Sequence, residues 1–303
     1  MIAEESGAGG ARGGATPAVA VVGSLNVDRV VPVRELPAPG ATVIGTGASR
    51  LGPGGKGANQ AAAAAAASGR PGAVVMVGAV GDDDGADLCL DDLAGRGVDT
   101  SRVRRVARVS TGLATVVLDD ASQNLIVVDP GANAGLTPDD VRCDEVRDAA
   151  VVLLQLEVPT AAVLAAAAHA TGEVVLNPAP SPGPDDVGEL LAAADVLVPN
   201  RGELADLVGE PEASGVDGVV AQVRALPFDG VVVVTMGADG ALVVAETVEH
   251  VEAPRVAAVD TTGAGDCFCG ALAVGLAEGT PLLEAVRAAV RAAAESVTRP
   301  GAR

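Results

Sequence analysis

Six short runs, at 18–23, 73–77, 151–154, 174–176, 196–198 and 231–234, are built almost wholly from valine, alanine and leucine, with no polar alternation. A strand wetted on one face alternates; an unalternating run needs cover on both faces, as in a parallel sheet between helices. Helical patterns near 57–68, 83–95, 137–149, 159–170, 185–193 and 201–208 supply that cover. Thr137 is the expected N-cap of the third, with Pro138 in its first turn. The alternation predicts an α/β fold, a doubly wound and mostly parallel sheet flanked by helices.

Two stretches break the rhythm. Residues 29–51 and 106–129 read as strands without intervening helices, with period-two character in 113–118. They predict a small separate β-sheet acting as a lid over the main one. Residues 1–16, rich in glycine and alanine and without a basic start or apolar stretch, read as a disordered tail ahead of one domain over 17–303.

Open α/β sheets bind ligands at the carboxyl ends of their strands. Directly after the predicted strands stand Asn26 and Asp28, Gln155 and Glu157, Asn177, Asn200 and Glu203, and Thr235. Single asparagines there are usually turn formers. Polar residues after strand upon strand read better as the rim of a cleft.

Composition narrows what that cleft takes. The net charge is −20, with Tyr and Trp absent and two Phe. Such a surface repels nucleic-acid backbones and anionic membranes, and the chain has no rings on which bases could stack. A nucleotide would need local attraction from a metal ion, helix N-termini and a few donors. The four cysteines lack zinc-type spacing and read as buried free thiols. No apolar run reaches membrane-spanning length, so the expectation is a soluble, cytoplasmic protein.

Lys56 is the one lysine beside nineteen arginines, and it lies in the densest glycine cluster, Gly52-Pro53-Gly54-Gly55-Lys56-Gly57-Ala58-Asn59-Gln60. A lysine retained there suggests a site needing a compact ammonium. Gly52, Gly54 and Gly57 match the spacing of a dinucleotide fingerprint, with Asp82 about 25 residues on. That keeps a nicotinamide-dependent oxidoreductase as a remote alternative, although the fingerprint belongs in the first βα turn, which here is Gly23-Ser24-Leu25-Asn26. A Walker A loop does not fit, since position 57 is Gly rather than Ser or Thr.

The stronger glycine motif is Asp260-Thr261-Thr262-Gly263-Ala264-Gly265-Asp266, ahead of an apolar helix. A Gly-Ala-Gly turn at a helix start aims free N–H groups at one point, suiting an anionic oxygen. Asp266 is either an N-cap or a catalytic carboxylate facing a hydroxyl. The helix N-terminus is expected to lower its pKa and make it a weak base. Phosphoryl transfer tolerates a weak base, because positioning and charge neutralisation dominate its transition state. Neither His169, a helix-end cation, nor His250 lies in a motif. Asn200 and Glu203, three apart on a helix face, could hold a hydrated Mg²⁺ or form a capping box. Thr235, Gly237 and Gly240 could meet phosphates or make a plain turn; Phe268 reads as core.

These motifs in this order resemble the ribokinase family of carbohydrate kinases, of PfkB type. Gly23-Ser24-Leu25-Asn26-Val27-Asp28, Gly54 through Ala61, Gln155-Leu156-Glu157, Asn177-Pro178-Ala179-Pro180, Pro199-Asn200 with Glu203, and Asp260 through Asp266 carry the likeness, which spans roughly 18–302. The resemblance implies ATP-dependent phosphorylation of the ribose 5-hydroxyl, with kinases for another pentose, a ketohexose or a nucleoside as alternatives in the same fold. It implies Asp266 as base and the Gly263, Ala264 and Gly265 amides as an anion hole. Asn26, Asp28, Gly54, Gly55, Lys56, Asn59 and Glu157 would bind the sugar, with Asp266. Asn200, Thr235, Gly237, Gly240 and Gly265 would bind ATP; Asn200 and Glu203 would serve Mg²⁺. Asp260 and Thr262 would serve a monovalent cation, usually K⁺, and the small sheet would be a sugar lid that also forms a homodimer. The likeness departs in three places. The chain stops at Arg303, where the family generally continues into a tail completing the monovalent-cation site. Arg201 stands where Glu is frequent, and Val290 stands where the adenine pocket often has a polar residue, implying looser base discrimination.

Overall fold

The computed structural model describes residues 18–121, 123–182 and 186–302. The expected 1–16 tail lies outside them. In chain order, β1 (Val19–Val22) leads into β2 (Asn26–Pro32), β3 (Arg50–Gly54), α1 (Lys56–Ser68), β4 (Val74–Gly81), α2 (Asp84–Gly95) and β5 (Asp99–Val106). Then come β6 (Gly112–Leu118), β7 (Asn124–Asp129), α3 (Pro138–Val141), α4 (Asp144–Asp148), β8 (Val151–Leu154), α5 (Thr160–His169), β9 (Glu173–Leu176) and α6 (Val187–Ala192). The chain continues through β10 (Val196–Leu197), α7 (Arg201–Val208), α8 (Gly215–Ala225), β11 (Val231–Thr235), β12 (Ala241–Val244) and β13 (Val248–Val251). It closes with α9 (Ala264–Ala277) and α10 (Leu282–Ser296).

The main sheet has nine strands in the order β13-β12-β11-β10-β9-β8-β1-β4-β5. Pairing is parallel from β11 to β5; β12 and β13 join antiparallel through hairpins. All residues of β1, β4 and β8 are buried, as their unalternating composition requires. One face packs α1, α2, α9 and α10 through Ala61, Leu93, Leu272 and Val286; the other packs α3 to α8 through Val141, Val163, Leu204 and Val219.

Small residues set the closest helix contact. A Cβ on Gly270 of α9 would lie 2.5 Å from the Gln60 carbonyl oxygen, and Ala58, Ala61 and Ala64 of α1 are fully buried. Without bulky knobs the two helices approach until polar side chains of one reach those of the other.

The expected helix over 137–149 is a correction. Thr137 does cap a helix, in a capping box with Asp140, but α3 ends at Val141 and α4 begins at Asp144 behind Cys143. Each piece carries two acids in its first turn, which suits two helix N-termini rather than one helix interior.

A second sheet pairs β3-β2-β6-β7. Its strands differ in extent from the expectation: β2 begins at Asn26, β3 runs to Gly54, and 33–49 holds no strand. Of the expected 106–129 stretch, Val106 belongs to the main sheet, as the last residue of β5, which pairs with β4. Strand β7 is exposed throughout, and Leu51, Ile126, Val127 and Val128 present apolar surface.

Candidate active site

Gly23 and Gly57 bring the site's first two elements together. A Cβ at Gly57 would lie 2.6 Å from the Ser24 amide nitrogen, so only glycine lets the start of α1 cross the β1–β2 turn. Ser24 of that turn thereby meets the start of α1, where the Gly57 N–H donates to its Oγ at 3.3 Å. Glu157, just past β8, joins them: its Oε2 accepts from Ser24 Oγ at 2.5 Å and from the Lys56 backbone N–H at 3.1 Å. Asp28 of β2 lies against Gly54, where any Cβ would be 2.1 Å from its Oδ1. Asn26 is buried, and its side-chain oxygen accepts from Asn133 Nδ2 at 2.8 Å.

Asp266 sits in the first turn of α9 and is 8% exposed. Its Oδ2 accepts from Asn59 Nδ2 at 2.9 Å and its Oδ1 from Gln60 Nε2 at 3.0 Å. The expected fall in its pKa is overturned. Burial penalises the charged carboxylate more than Lys56, Asn59 and Gln60 favour it, so its pKa is raised from the ordinary 3.8. Lys56 is affected in the opposite sense. Burial works against its charge, but Asp266, Glu157 and Glu203 together outweigh that and raise its pKa above 10.5.

Gly263 caps α9 in the left-handed region, at φ 73°, which a side chain would resist. Of the expected anion-hole amides, that of Ala264 bonds the Thr261 carbonyl at 3.3 Å. The N–H groups of Gly265 and Asp266 find no acceptor among the described residues, as a first helical turn dictates. The N–H groups open to an anion at this turn are therefore those of Gly265 and Asp266 rather than that of Ala264.

Two cavities meet at this turn. One of ≈ 190 Å³ is lined by Lys56, Asn200, Glu203, Thr235, Gly263, Gly265 and Asp266, among others. The other, ≈ 580 Å³, continues past Thr235, Gly237, Gly240 and Gly265 to an apolar end at Phe268, Val290, Ala294 and Val297. Phe268 is thus both core and cavity wall. Asn200 and Glu203 form the capping box, each backbone N–H donating to the other's side chain at 2.8 Å. Burial raises the pKa of Glu203 despite the Asn200 N–H and Lys56. The box occupies one oxygen of Glu203 and leaves the other for the cavity. Arg201 turns away to Glu212 at 3.3 Å.

Asp260 and Thr262 stand at the rim. Asp260 accepts from the Thr262 N–H and, with its other oxygen, from the Gly301 N–H, both at 2.9 Å. Burial as free thiols holds for Cys89 and Cys269, whereas Cys143 and Cys267 are half-buried. The dinucleotide alternative loses its geometry: Gly52 and Gly54 lie in β3, an antiparallel strand of the small sheet, not in a βα crossover turn. No helix among the described residues is long and apolar enough to cross a membrane.

Three contributors escaped the sequence reading. Asn133 sits in the 3₁₀ turn Gly131–Gly135 and clasps Leu25 through both its N–H and its carbonyl. Ser24 anchors Glu157, and Gln60 reaches Asp266. Gln60 had a signal, since Gln one place after Asn59 in an otherwise alanine-rich helix is conspicuous. Asn133 had none.

A phosphate in the smaller cavity and an alcohol beside Asn59 would meet at one carboxylate, as in a kinase acting on a small hydroxylated molecule. The chain belongs to the pfkB family of carbohydrate kinases, whose family model matches residues 16–303. It is 38% identical over 291 residues to a deoxyribokinase of Salmonella typhi, covering 93% of each chain. It is 34% identical over 298 residues to a ribokinase of Schizosaccharomyces pombe, covering 94% of this chain and 93% of the relative. The structure resembles Arabidopsis thaliana ribokinase complexed with ribose and ATP, at TM-score 0.84, 34% identity and 95% and 94% coverage.

Proposed function

We propose that this kinase transfers the γ-phosphoryl group of ATP to the 5-hydroxyl of D-ribose. The observation that carries the reading is Asp266. It is nearly buried in the wall of the smaller cavity, next to Gly265, which lines both, with amide donors on both oxygens and lone pairs left over. Ribose lies under the small sheet, its hydroxyls bonded by Asp28, Asn59, Glu157, Lys56 and the backbone at Gly54 and Gly55. Asn26, its oxygen already engaged, contributes its N–H₂. The absence of an aromatic platform suits recognition by hydrogen bonds alone.

ATP extends through the larger cavity, base toward Val290 and phosphates past Thr235, Gly237 and Gly240. The 5-oxygen attacks the γ-phosphorus, the bond to the β,γ-bridging oxygen breaks, and the hydroxyl proton passes to Asp266. The raised pKa makes Asp266 a better proton acceptor than an exposed aspartate, while Lys56 favours its ionised form. Amides at Gly263, Gly265 and Asp266 receive charge developing on the phosphoryl oxygens. Glu203, whose second oxygen is not used by the capping box, and Asn200 would hold a hydrated Mg²⁺, which prefers oxygen ligands and would neutralise phosphate charge. A monovalent cation such as K⁺ would use the remaining lone pairs of Asp260, with Thr262.

Four free thiols and the use of ATP support a cytoplasmic location. The apolar surface at Leu51, Ile126 and Val128 supports a homodimer through the small sheet.

The likeness to a deoxyribokinase favours a second reading, 2-deoxy-D-ribose as the sugar. Mg²⁺-dependent ADP release across ribose, 2-deoxyribose, fructose and adenosine, with ³¹P NMR of the product, tests both. Ribose should give the highest kcat/KM and a 5-phosphate. A higher value with 2-deoxyribose would establish the second reading, and one with fructose or adenosine would overturn both.

A further inference from the structure

We propose that Gln60 is a positioning residue for phosphoryl transfer, fixing the orientation of the Asp266 carboxylate through a buried amide chain anchored at three strand ends. The inference rests on the reading of Asp266 as base.

Gln60 is 0% exposed and cannot touch solvent. Its Nε2 donates to Asp266 Oδ1 at 3.0 Å and to Asn177 Oδ1 at 3.1 Å. Its oxygen accepts from Gln155 Nε2 at 2.5 Å. Both N–H bonds and the carbonyl are used, so the amide has one consistent orientation. Because the oxygen faces Gln155, the nitrogen must face Asp266.

Asn177 is itself fixed, whereas the Gln155 side chain bonds Gln60 alone, its own oxygen being buried without a partner among the described residues. Asn177 follows β9 and donates to the Val198 carbonyl, beyond β10, at 2.9 Å. Gln155 follows β8 and is fully buried. The ends of β8, β9 and β10 thus hold Gln60, and Gln60 holds one carboxylate oxygen. Asn59 holds the other oxygen from the same helix. Restraint at both oxygens sets the carboxylate plane and decides where the free lone pairs point. A base must present one of those lone pairs to the hydroxyl within hydrogen-bond reach.

A role in burying polar groups alone would predict something else. An isosteric apolar residue would then lower stability without selectively slowing chemistry. Positioning predicts a split between kcat and KM, because Gln60 is fully buried and lines neither of the two cavities.

The test is Gln60→Met beside Gln155→Met and Asp266→Asn in the full chain, with kcat, both KM values, the melting temperature and the kcat–pH profile measured. Gln60→Met should lower kcat about 10- to 100-fold, the scale of a misplaced reacting group, with both KM values within about twofold. Its acid limb should move to higher pH, as one donor to the carboxylate is lost while Lys56, Glu157, Glu203, Cys267 and Cys269, which face or flank Asp266, are unchanged. Gln155→Met should give a smaller loss of the same kind, and serves as the deciding variant if Gln60→Met does not fold. A kcat within about twofold of wild type in the deciding variant, with Asp266→Asn inactive, overturns the positioning role and leaves the base intact. Wild-type turnover in Asp266→Asn removes the base and this inference with it.

Discussion

Glu157 caps the helix that Lys56 begins, accepting its backbone N–H at 3.1 Å from the far side of the cleft. Helix α1 has no local side-chain cap. The same oxygen receives the Ser24 hydroxyl, so one carboxylate ties the β1–β2 turn, the end of β8 and the start of α1 into one frame. In the proposed function the second oxygen of Glu157 faces the sugar.

Glu157→Gln keeps the shape and removes the charge at a helix N-terminus. Loss of a capping interaction costs about 0.5–2 kcal/mol, readable as a lower urea midpoint. Because the sugar loses a charged acceptor too, its KM should rise at least tenfold with that of ATP little changed, as steady-state kinetics would show.

Lys56 is cationic through the physiological range, its pKa raised against burial by Asp266, Glu157 and Glu203. A raised lysine stabilises the fold below its unfolded pKa near 10.5, and that contribution is lost as pH rises through the folded value. Lys56→Met should therefore narrow the alkaline stability difference from wild type. It also removes the cation that favours ionised Asp266, so the acid limb of the kcat–pH profile should move upward. Lys56→Arg should not restore activity, since a planar fork cannot replace a compact ammonium between three carboxylates.

At Gly263 an alanine meets two obstacles. The backbone is at φ 73°, and a Cβ would lie 2.6 Å from that of Ala302. The left-handed conformation alone costs about 1–2 kcal/mol. The α9 amides would shift with the turn, so Gly263→Ala should lower both the melting temperature and kcat while sugar affinity, measured by calorimetry, stays near wild type.

Strand β7 presents Ile126 at 53% and Val128 at 48% exposure on an edge of the small sheet. Sedimentation of the wild type should give a dimer at micromolar concentration, and Ile126→Lys a monomer with a higher sugar KM. A wild-type monomer would rule out the proposed assembly.

The main sheet was legible because buried parallel strands leave an unmistakable mark: β1, β8 and β11 fall within a residue of the valine runs. The helix over 137–149 misled because Arg142 and Cys143 interrupt no hydrophobic period, and the second N-terminus is marked only by Asp144 and Glu145. Motif order brought Asp28, Lys56, Asn59, Glu157, Asn200 and Asp266 into view. What spacing could not show was the balance of forces on Asp266. Its helix position argues for a lowered pKa, and only its depth, set by the close packing of α1 against α9, reverses the sign. Gln60 was hidden for the same reason, since its partners lie more than 90 residues away.

The most direct test of Asp266 as the base compares Asp266→Asn with wild type in a coupled ADP-release assay, alongside calorimetric titration of D-ribose. If Asp266 is the base, kcat should fall by at least about 10²-fold, the lower end for loss of a general base, with the ribose Kd retained within a few-fold. An Asp266→Asn variant that binds ribose and turns over at the wild-type rate would contradict it.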